Sequence, residues 1–521
     1  MHPTHAELWA RSFQSQVARN PGAASLTLPI FQTLGLVEAV NEQCLSEHTV
    51  SHGHIAQLLT VNRLQAPRPL YKIGAWLAHT ALNHALAVEP EQAHDTRLGE
   101  TLDALYPQHQ AIWQTVVRRA VQHYQLPLDW LHYDITSTYF EGIYDESEWV
   151  QFGYSRDGRP DCKQLNLGLN VTGEGIPLAF RVLVGNTADG TTPRQNLEAV
   201  RKLLPESPTV EPTLVHDRAM ATAETLVWYE RQHQKFISPM TADATLQAVV
   251  DSVPQSELLA HPLDYRPRRA RDTDPPYYGV WRESSLTHEA QTIRVRVLVT
   301  YSQGKATLDA EKRQSQLDQL LKRLSAIQTQ LNQRKYKRRD YTLEQIHLAQ
   351  RGNPMHALVE VDLQGSDGAL RLTFSVNAAR LAEAQARDGR YPIVTNRWDL
   401  SASDTLDQQK QQDVSEKRFA IVKGPLQIHP LWLHKDERLI SLVLVVMLAL
   451  LVYCLLEYLV RQAQRHLSGR ALLELFAGYT LVSVQFTDGS QLWLYPELSS
   501  TQAEVLALLK LPTPALTLRL A

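Results

Sequence analysis

The chain has 521 residues, 44% of them hydrophobic and 21% charged, which excludes a disordered, collagen-like or low-complexity polymer. At about 150 residues per domain it has room for roughly three domains, and a chain this long buries a full core without disulfides or a structural metal. Its three cysteines are far apart, which argues against a disulfide scaffold or a zinc finger, and its formal charge of −3 restricts any nucleic-acid binding to local basic patches.

A helical domain is predicted for residues 1–127. Apolar residues recur at helical spacing in four segments, and prolines stand near the ends of these segments. The segments are residues 28–40, 55–61, 73–86 and 111–121. The pattern is typical of a helical bundle that has no catalytic residues. The alternative is that this helical domain binds DNA ends.

The pattern changes to that of a mixed α/β sheet between residues 128 and 239. Short runs of strand-forming residues, one of them alternating with period two before a glycine-containing turn, are separated by helical segments. The expected strands are residues 130–136, 164–171, 176–184, 213–217 and 235–238, and the expected helices are residues 194–204 and 222–232. We interpret this region as the first part of a sheet core.

An insertion interrupts this core over residues 240–395. It contains strand-like runs and a polar helix at residues 306–334, whose apolar seam extends from Leu317 to Leu331. Basic hexamers occur at residues 266–271 and 334–339. They are either solvated arm tips or surfaces that follow a phosphate backbone.

The core resumes over residues 396–466, and a tail follows over residues 467–521. A long helix is expected at residues 402–421. The tail contains a predicted hairpin at residues 481–495 that turns at Asp488-Gly489.

Residues 439–456 are apolar and reach the length of a membrane-spanning helix. One interpretation is a protein with a single membrane span. The other is a helix buried on all sides in the core of a large α/β domain. We favour the buried helix and expect no membrane association.

Three acidic residues are candidates for a catalytic site. Asp134 and Asp217 stand at or near the ends of short predicted strands, where a sheet presents groups to a cleft. Glu416 lies in the long helix beyond the insertion, although spacing alone does not distinguish it from Asp413. Lys423 follows Glu416 by seven residues, two helical turns, and is therefore expected on the same face.

Clustered carboxylates repel one another and stay ionised together only beside divalent cations. Oxygen ligands that leave room for water and phosphate suit Mg²⁺ or Mn²⁺. Two such ions about 3.5–4 Å apart can activate an oxygen nucleophile and stabilise the departing oxygen of a phosphoryl group. In that arrangement Lys423 would hold a phosphate beside the metals.

Several motifs carry a resemblance to a known family. They are Tyr133–Ser137, Phe152–Leu165, Gly185–Thr191, Val215–Met220 and Glu416–Leu426, together with Ser51–Ile55, Pro69–Tyr71 and Arg97–Asp103 in the helical part. In this order they resemble bacterial insertion-sequence transposases of the DDE type, in the subgroup with a long insertion before the catalytic glutamate. The similarity covers roughly residues 27–465.

The resemblance implies a fold and an activity. The fold is an α/β, ribonuclease-H-like mixed sheet core with a helical N-terminal domain and an inserted domain of strands and a helical arm. The activity is DNA end cleavage and strand transfer, with Asp134, Asp217 and Glu416 as the catalytic triad that binds two Mg²⁺ (or Mn²⁺) ions.

The resemblance also implies partners. These are double-stranded DNA, as the terminal inverted repeats of the element and the target, and a second protomer in a homodimer on paired ends in the bacterial cytoplasm. The N-terminal domain and the insertion would contact DNA. Lys423, Arg418 and Arg218 are the expected DNA-binding side chains.

The chain departs from the family pattern near the glutamate. The family has a tyrosine two turns and an arginine one turn before the glutamate, where this chain has Gln409 and Gln412. The alternative is therefore a relative that retains the fold and binds DNA but has lost catalysis.

Overall fold

The computed structural model describes residues 13–204, 211–267, 275–428, 433, 435–513 and 517–519. The chain divides into two compact units. The first unit contains residues up to Met220 and from Lys410 onward, and the second unit is Ala221–Gln409.

The first unit begins with a strand and a series of helices. They are β1 (Phe13–Arg19), α1 (Ala24–Leu34), α2 (Leu36–Asn41), α3 (His52–Gln65), α4 (Ile73–Ala78), α5 (Leu82–Leu86), α6 (Asp95–Leu105) and α7 (His109–Tyr124). Gly35 ends α1 in the left-handed conformation (φ 56°), and the Ser51 hydroxyl accepts the His54 amide at the start of α3. The expected helical N-terminal part is confirmed.

A mixed sheet follows in the same unit. Its elements are β2 (Trp130–Phe140), β3 (Lys163–Thr172), β4 (Pro177–Val184), α8 (Pro193–Arg201) and β5 (Thr213–His216). The strand order is β4-β3-β2-β5, in which β2–β3 and β3–β4 are antiparallel while β2–β5 is parallel. Three antiparallel strands beside a parallel fourth form the ribonuclease-H-like core that the sequence predicts.

The second unit also combines a sheet with helices. Its elements are α9 (Ala223–Arg231), β6 (Lys235–Pro239), α10 (Ala244–Asp251), α11 (Gln255–Leu259), β7 (Tyr278–His288), β8 (Gln291–Tyr301), α12 (Gln303–Gln330), α13 (Arg339–Gln350), β9 (Val359–Gln364), β10 (Arg371–Val376), α14 (Ala378–Ala386), β11 (Arg390–Thr395) and α15 (Ala402–Lys410). Strands β6, β11, β8 and β7 are neighbours in that order, each pair antiparallel. Of the basic hexamer predicted at residues 266–271, residues 268–271 lie outside the described part.

The remaining elements complete the first unit. They are α16 (Asp413–Lys423), α17 (Asp436–Gln462), α18 (Gly469–Ala477), β12 (Leu481–Phe486), β13 (Gln491–Leu494), α19 (Ser500–Leu508) and β14 (Thr517–Arg519). The predicted hairpin is confirmed as β12–β13, with Gly489 at a φ of 83° in the turn. A four-stranded sheet of order β1-β12-β13-β14 joins the two ends of the chain, which the sequence did not predict.

Helix α17 contains the apolar stretch and is, among the described residues, the one helix long and apolar enough to cross a membrane. Its most apolar 18-residue window is entirely buried in the structure. It packs against α3, α6 and β4 of the same unit, and the Ser441 hydroxyl donates to the Leu102 carbonyl at 2.6 Å. Burial in the core thus accounts for its composition.

Two predictions about element boundaries are wrong. The helix expected at residues 402–421 is two helices, because the chain tightens at Gln411 and Gln412, whose carbonyls accept from the amides three residues later. Strand β2 continues to Phe140 because β3 pairs with it along that length, so Asp134 lies within the strand. The predicted domain boundaries after residues 127, 239, 395 and 466 stay predictions.

Candidate active site

Strands β2 and β5 bring Asp134 and Asp217 side by side. The parallel register pairs Trp130 with Thr213 and ends with Tyr133 opposite His216. Asp134 is the next residue of β2, and Asp217 directly follows the end of β5. Since neighbouring strands lie about 4.8 Å apart, the two acids leave adjacent points of the sheet.

Helix α16 brings Glu416 to the same strand. The Gln412 side-chain amide, one turn before Glu416, donates to the Tyr133 carbonyl at 2.7 Å. Its oxygen lies 3.3 Å from Nδ1 of His132, which must donate, because an amide oxygen can only accept. Gln412 therefore links the first turn of α16 to the two residues that precede Asp134.

The pKa of Asp134 is raised to about 7, chiefly because its carboxyl is removed from water. The negative charges of Asp217 and Glu416 raise this pKa further. The Ile135 amide, which donates to Asp134 at 2.7 Å, and the Arg156 cation oppose the rise. The three predicted acids therefore share one electrostatic environment.

The structure also distinguishes Glu416 from Asp413. Asp413 is exposed and forms an ion pair with Lys417 on the next turn, at 2.5 Å. Its charge acts on His132, whereas the charge of Glu416 acts on Asp134. Of these two acids, Glu416 is therefore the one whose charge raises the pKa of Asp134.

Two buried histidines flank the acids in sequence. Burial lowers the pKa of both His132 and His216 to about 4. Both imidazoles are therefore neutral at pH 7 and supply no positive charge to the carboxylates. Among the residues acting on Asp134, Arg156 is the cation that lowers its pKa.

Arg156 lies within the Phe152–Leu165 motif, and the sequence alone indicates no role for its side chain. Its backbone amide donates to the Ser137 hydroxyl of β2 at 2.9 Å, and its guanidinium forms an ion pair with Asp189. The motifs at residues 152–165 and 185–191 thus meet beside β2. Their contact is close, since a Cβ on Gly153 would lie 2.0 Å from the Gly185 carbonyl oxygen.

The three predicted DNA-binding residues lie in different surroundings. Lys423 is largely buried and forms an ion pair with Asp157 at 2.6 Å. Arg218 is exposed, and its backbone amide donates to Asp217 at 2.6 Å.

Arg418 is buried, which contradicts its prediction as a DNA contact. Its guanidinium lies 2.6 Å from Glu457 of α17 and donates to the Gly175 carbonyl at 2.7 Å. A side chain with these two partners holds α16 to the core and is not available to a phosphate. We therefore leave Arg418 out of the candidate DNA surface.

The metal ligands expected from the sequence fit a divalent cation by their chemistry. Among the described residues, no three His, Cys, Asp or Glu side chains lie close enough together to coordinate one metal ion as they stand. Mg²⁺ nevertheless keeps several waters and takes only one or two carboxylates beside substrate phosphates. Burial is the main cause of the raised pKa of Asp134, and a bound cation would offset the further repulsion from Asp217 and Glu416.

Comparisons with known proteins gave two kinds of match. A family model described as a domain of unknown function, DUF4277, matches residues 24–116. A piggyBac transposase synaptic complex with hairpin DNA matches at 6% identity and a TM-score of 0.40, over 89% of this chain and 82% of that chain. The Mos1 transposase paired-end complex with the left transposon end matches at 13% identity and a TM-score of 0.16, over 39% and 63%. No curated protein matches the chain.

Proposed function

We propose that this chain is a DDE-type DNA transposase, which cleaves the ends of an insertion-sequence element and joins them to target DNA. One observation carries the proposal. The β2–β5 register puts Asp134 beside Asp217, and Gln412 joins the start of the helix that carries Glu416 to the same part of β2. The raised pKa of Asp134 supports it, because the other two carboxylates contribute to the rise.

Asp134, Asp217 and Glu416 would hold two Mg²⁺ ions, or Mn²⁺. When bound, these ions supply activation of the attacking oxygen and stabilisation of the departing oxygen. With a pKa of about 7, the Asp134 carboxyl is only partly ionised at neutral pH, and a bound cation would favour its ionised form. The reaction needs no covalent enzyme intermediate, and no serine or tyrosine nucleophile is assigned.

Lys423 and Arg218 would contact DNA phosphates near these acids. Lys423 would exchange its carboxylate partner Asp157 for a phosphate oxygen, whereas Arg218 is already exposed beside Asp217. Both side chains can bind phosphate as cations, Lys423 as a point charge and Arg218 in a bidentate manner. Their partners would be the terminal inverted repeats and target DNA, bound by two protomers in the bacterial cytoplasm.

A second candidate function is DNA binding without catalysis. Gln412 binds the backbone of β2 in place of the phosphate contact expected of an arginine, and the positive charge of Lys423 is neutralised by Asp157. A protein of this kind would bind element ends and show no Mg²⁺-dependent nicking.

The test is cleavage of a duplex that carries the element's inverted repeats by the purified full-length protein with Mg²⁺. We expect cleavage by the native chain and none by Asp134→Ala. The matched control is Glu141→Ala, which removes an exposed acid just beyond the end of β2. Equal cleavage by Asp134→Ala and the native chain would refute the catalytic assignment. Binding without cleavage by the native chain would select the second candidate.

A further inference from the structure

The second unit carries a helical arm with a core of its own. The arm consists of α12, α13 and the β9–β10 hairpin. Leu317, Leu320, Leu324 and Ile327 form the buried face of α12 and pack with residues of the hairpin. The hairpin therefore packs along α12 and forms one compact module with it. The net charge of residues 303–376 is positive, with 12 Lys and Arg against eight Asp and Glu.

The end of α12 leads into a basic turn, residues 334–339, which we call the arm tip. Five of its six residues are Lys or Arg, and four of these are exposed. In the part of the chain that the structure describes, Arg334, Lys335 and Lys337 have no carboxylate within ion-pair distance, whereas Arg338 pairs with Asp340. Asp367 is the other acid of this surface, and it accepts the backbone amide of Arg339 at 2.9 Å.

Several cations elsewhere in the same unit do have acidic partners. Lys305 pairs with Asp309, Arg294 with Glu283, and Arg387 with Asp251, at 2.5–2.9 Å. Ion pairs of this kind neutralise charge on the surface of the unit. The arm tip is instead a surface on which positive charge accumulates, which is the requirement for binding a polyanion.

The backbone of the arm tip is ordered by contacts with the hairpin. Asn332 exchanges two hydrogen bonds with the backbone of Leu370, at 2.7 and 2.9 Å. The Gly368 amide donates to the Lys337 carbonyl at 2.7 Å. The cations are thus presented from a fixed turn, which lowers the entropy lost when a ligand binds.

The aromatic residues of the arm tip indicate which kind of nucleic acid fits. Surfaces for single strands combine cations with open aromatic faces on which bases stack. Here the rings of Tyr336 and Tyr341 are half-buried and meet edge to face at 5.2 Å, and Lys335 lies over Tyr341. The rings are therefore occupied, and the cations remain as the groups that can contact a ligand.

We propose that the arm tip binds the phosphate backbone of double-stranded DNA through Arg334, Lys335 and Lys337, without reading its sequence. The identity of the ligand as DNA rests on the function proposed above. Because α12 has 28 residues, it extends about 42 Å at 1.5 Å per residue, about the length of 12 base pairs. The arm tip would thus anchor duplex at a distance from the start of the helix.

The experiment measures the salt dependence of affinity for a mixed-sequence DNA duplex, with the full-length protein. The test variant carries Arg334→Gln, Lys335→Gln and Lys337→Gln. The matched control carries Lys305→Gln, Arg294→Gln and Arg387→Gln, which removes the same charge from ion-paired cations of the same unit. We expect the slope of log K against log [salt] to become shallower by about 2–3 in the test variant only, with affinity reduced more than about tenfold at low salt.

Three results would overturn the proposal: an unchanged slope, an equal change in the matched control, or a loss confined to a single-stranded probe. Thermal unfolding of each variant checks that the arm remains folded. Nicking of element ends is measured on the same preparations. If the slope changes in the test variant but the native chain does not nick DNA, the proposed transposase function is refuted and DNA binding by the arm tip stands. If nicking is normal but the slope is unchanged, DNA binding by the arm tip is refuted and the proposed function stands.

Discussion

Asp134 has a pKa of about 7 in the folded chain against an ordinary value of 3.8. The folded state therefore binds this proton more tightly than the unfolded state, and stability falls as pH rises from about 4 to 7. We expect Asp134→Asn to increase the free energy of unfolding at about pH 8 by up to roughly 4 kcal/mol and to abolish nicking.

The measurement is the Tm of native and variant chains between about pH 4 and pH 8, without divalent ions. The gain should shrink as the pH falls towards 4, because the native carboxyl is then protonated in the folded state and begins to be protonated in the unfolded state as well. A variant with the same or a lower Tm at high pH would show that the carboxylate is not destabilised in the folded chain.

Gln412 joins α16 to β2 through two hydrogen bonds, so its loss should loosen the position of Glu416. We expect Gln412→Ala to reduce stability by about 1–3 kcal/mol, because it removes the hydrogen bonds to His132 and Tyr133. Nicking at saturating DNA should fall as well.

The matched control is Gln328→Ala. That glutamine donates to the Leu372 carbonyl at 2.8 Å in the arm, so the variant loses a similar bond away from the acids. A smaller stability loss is expected for Gln328→Ala, which loses one hydrogen bond, and nicking should fall only in Gln412→Ala. Equal nicking by the two variants would contradict the positioning role of Gln412.

At this scale the sequence predicted only part of the site. Strand patterns indicated Asp134 and Asp217, but Glu416 was separated from Asp413 only by the resemblance, because both lie on one polar helix face. The role of Gln412 was not predictable, since it depends on which backbone carbonyl faces the helix. Arg418 was predicted to contact DNA, and the structure buries it against Glu457.

The position of the segment at residues 152–162 against the backbone of Gly185 requires the absence of a side chain at Gly153. A Cβ there would lie 2.0 Å from the Gly185 carbonyl oxygen, so the two backbones would have to separate. We expect Gly153→Ala to cost about 1–3 kcal/mol of stability and to reduce nicking, because Arg156 would move from Asp134. Gly173→Ala is the control, since its Cβ would meet only the Trp130 Cβ at 3.5 Å. Thermal unfolding of both variants is the measurement, and equal Tm values would contradict the account.

Lys423 of α16 forms an ion pair with Asp157 of the segment at residues 152–162, and we expect the loss of this ion pair to increase DNA affinity. Removing the charge of Asp157 leaves Lys423 available to a phosphate. We expect Asp157→Asn to steepen the salt dependence of duplex binding by about 0.9, the contribution of one phosphate contact. Asp161→Asn, which removes one of the two acidic partners of Arg159 instead, is the matched control. Unchanged binding in Asp157→Asn would show that Lys423 does not contact DNA.

Most elements were predictable from local patterns. The apolar seam of α12 gave the buried face of the arm, and alternation with a glycine turn gave the β3–β4 hairpin. The break between α15 and α16 was not predicted, because residues 402–421 have helical character throughout. The length of β2 was underestimated, since its second half is stabilised by pairing with β3.

The pairing of distant segments was the least predictable part of the fold. β1 pairs with β12 across more than 450 residues, and neither strand carries a local signal for the other. The burial of α17 was expected, although its flanks and composition fit both a membrane span and a core helix. Its packing against α3, α6 and β4 accounts for the burial.

The central claim is that Asp134, Asp217 and Glu416 act together as one metal-dependent site. The most direct measurement is the initial rate of Mg²⁺-dependent nicking of a supercoiled plasmid carrying the element ends, for Glu416→Ala and Asp413→Ala. Both variants remove one acid from the first turn of α16. The account predicts that Glu416→Ala lowers the rate by about a hundredfold or more while Asp413→Ala stays near the native rate. Native-like nicking by Glu416→Ala would contradict it.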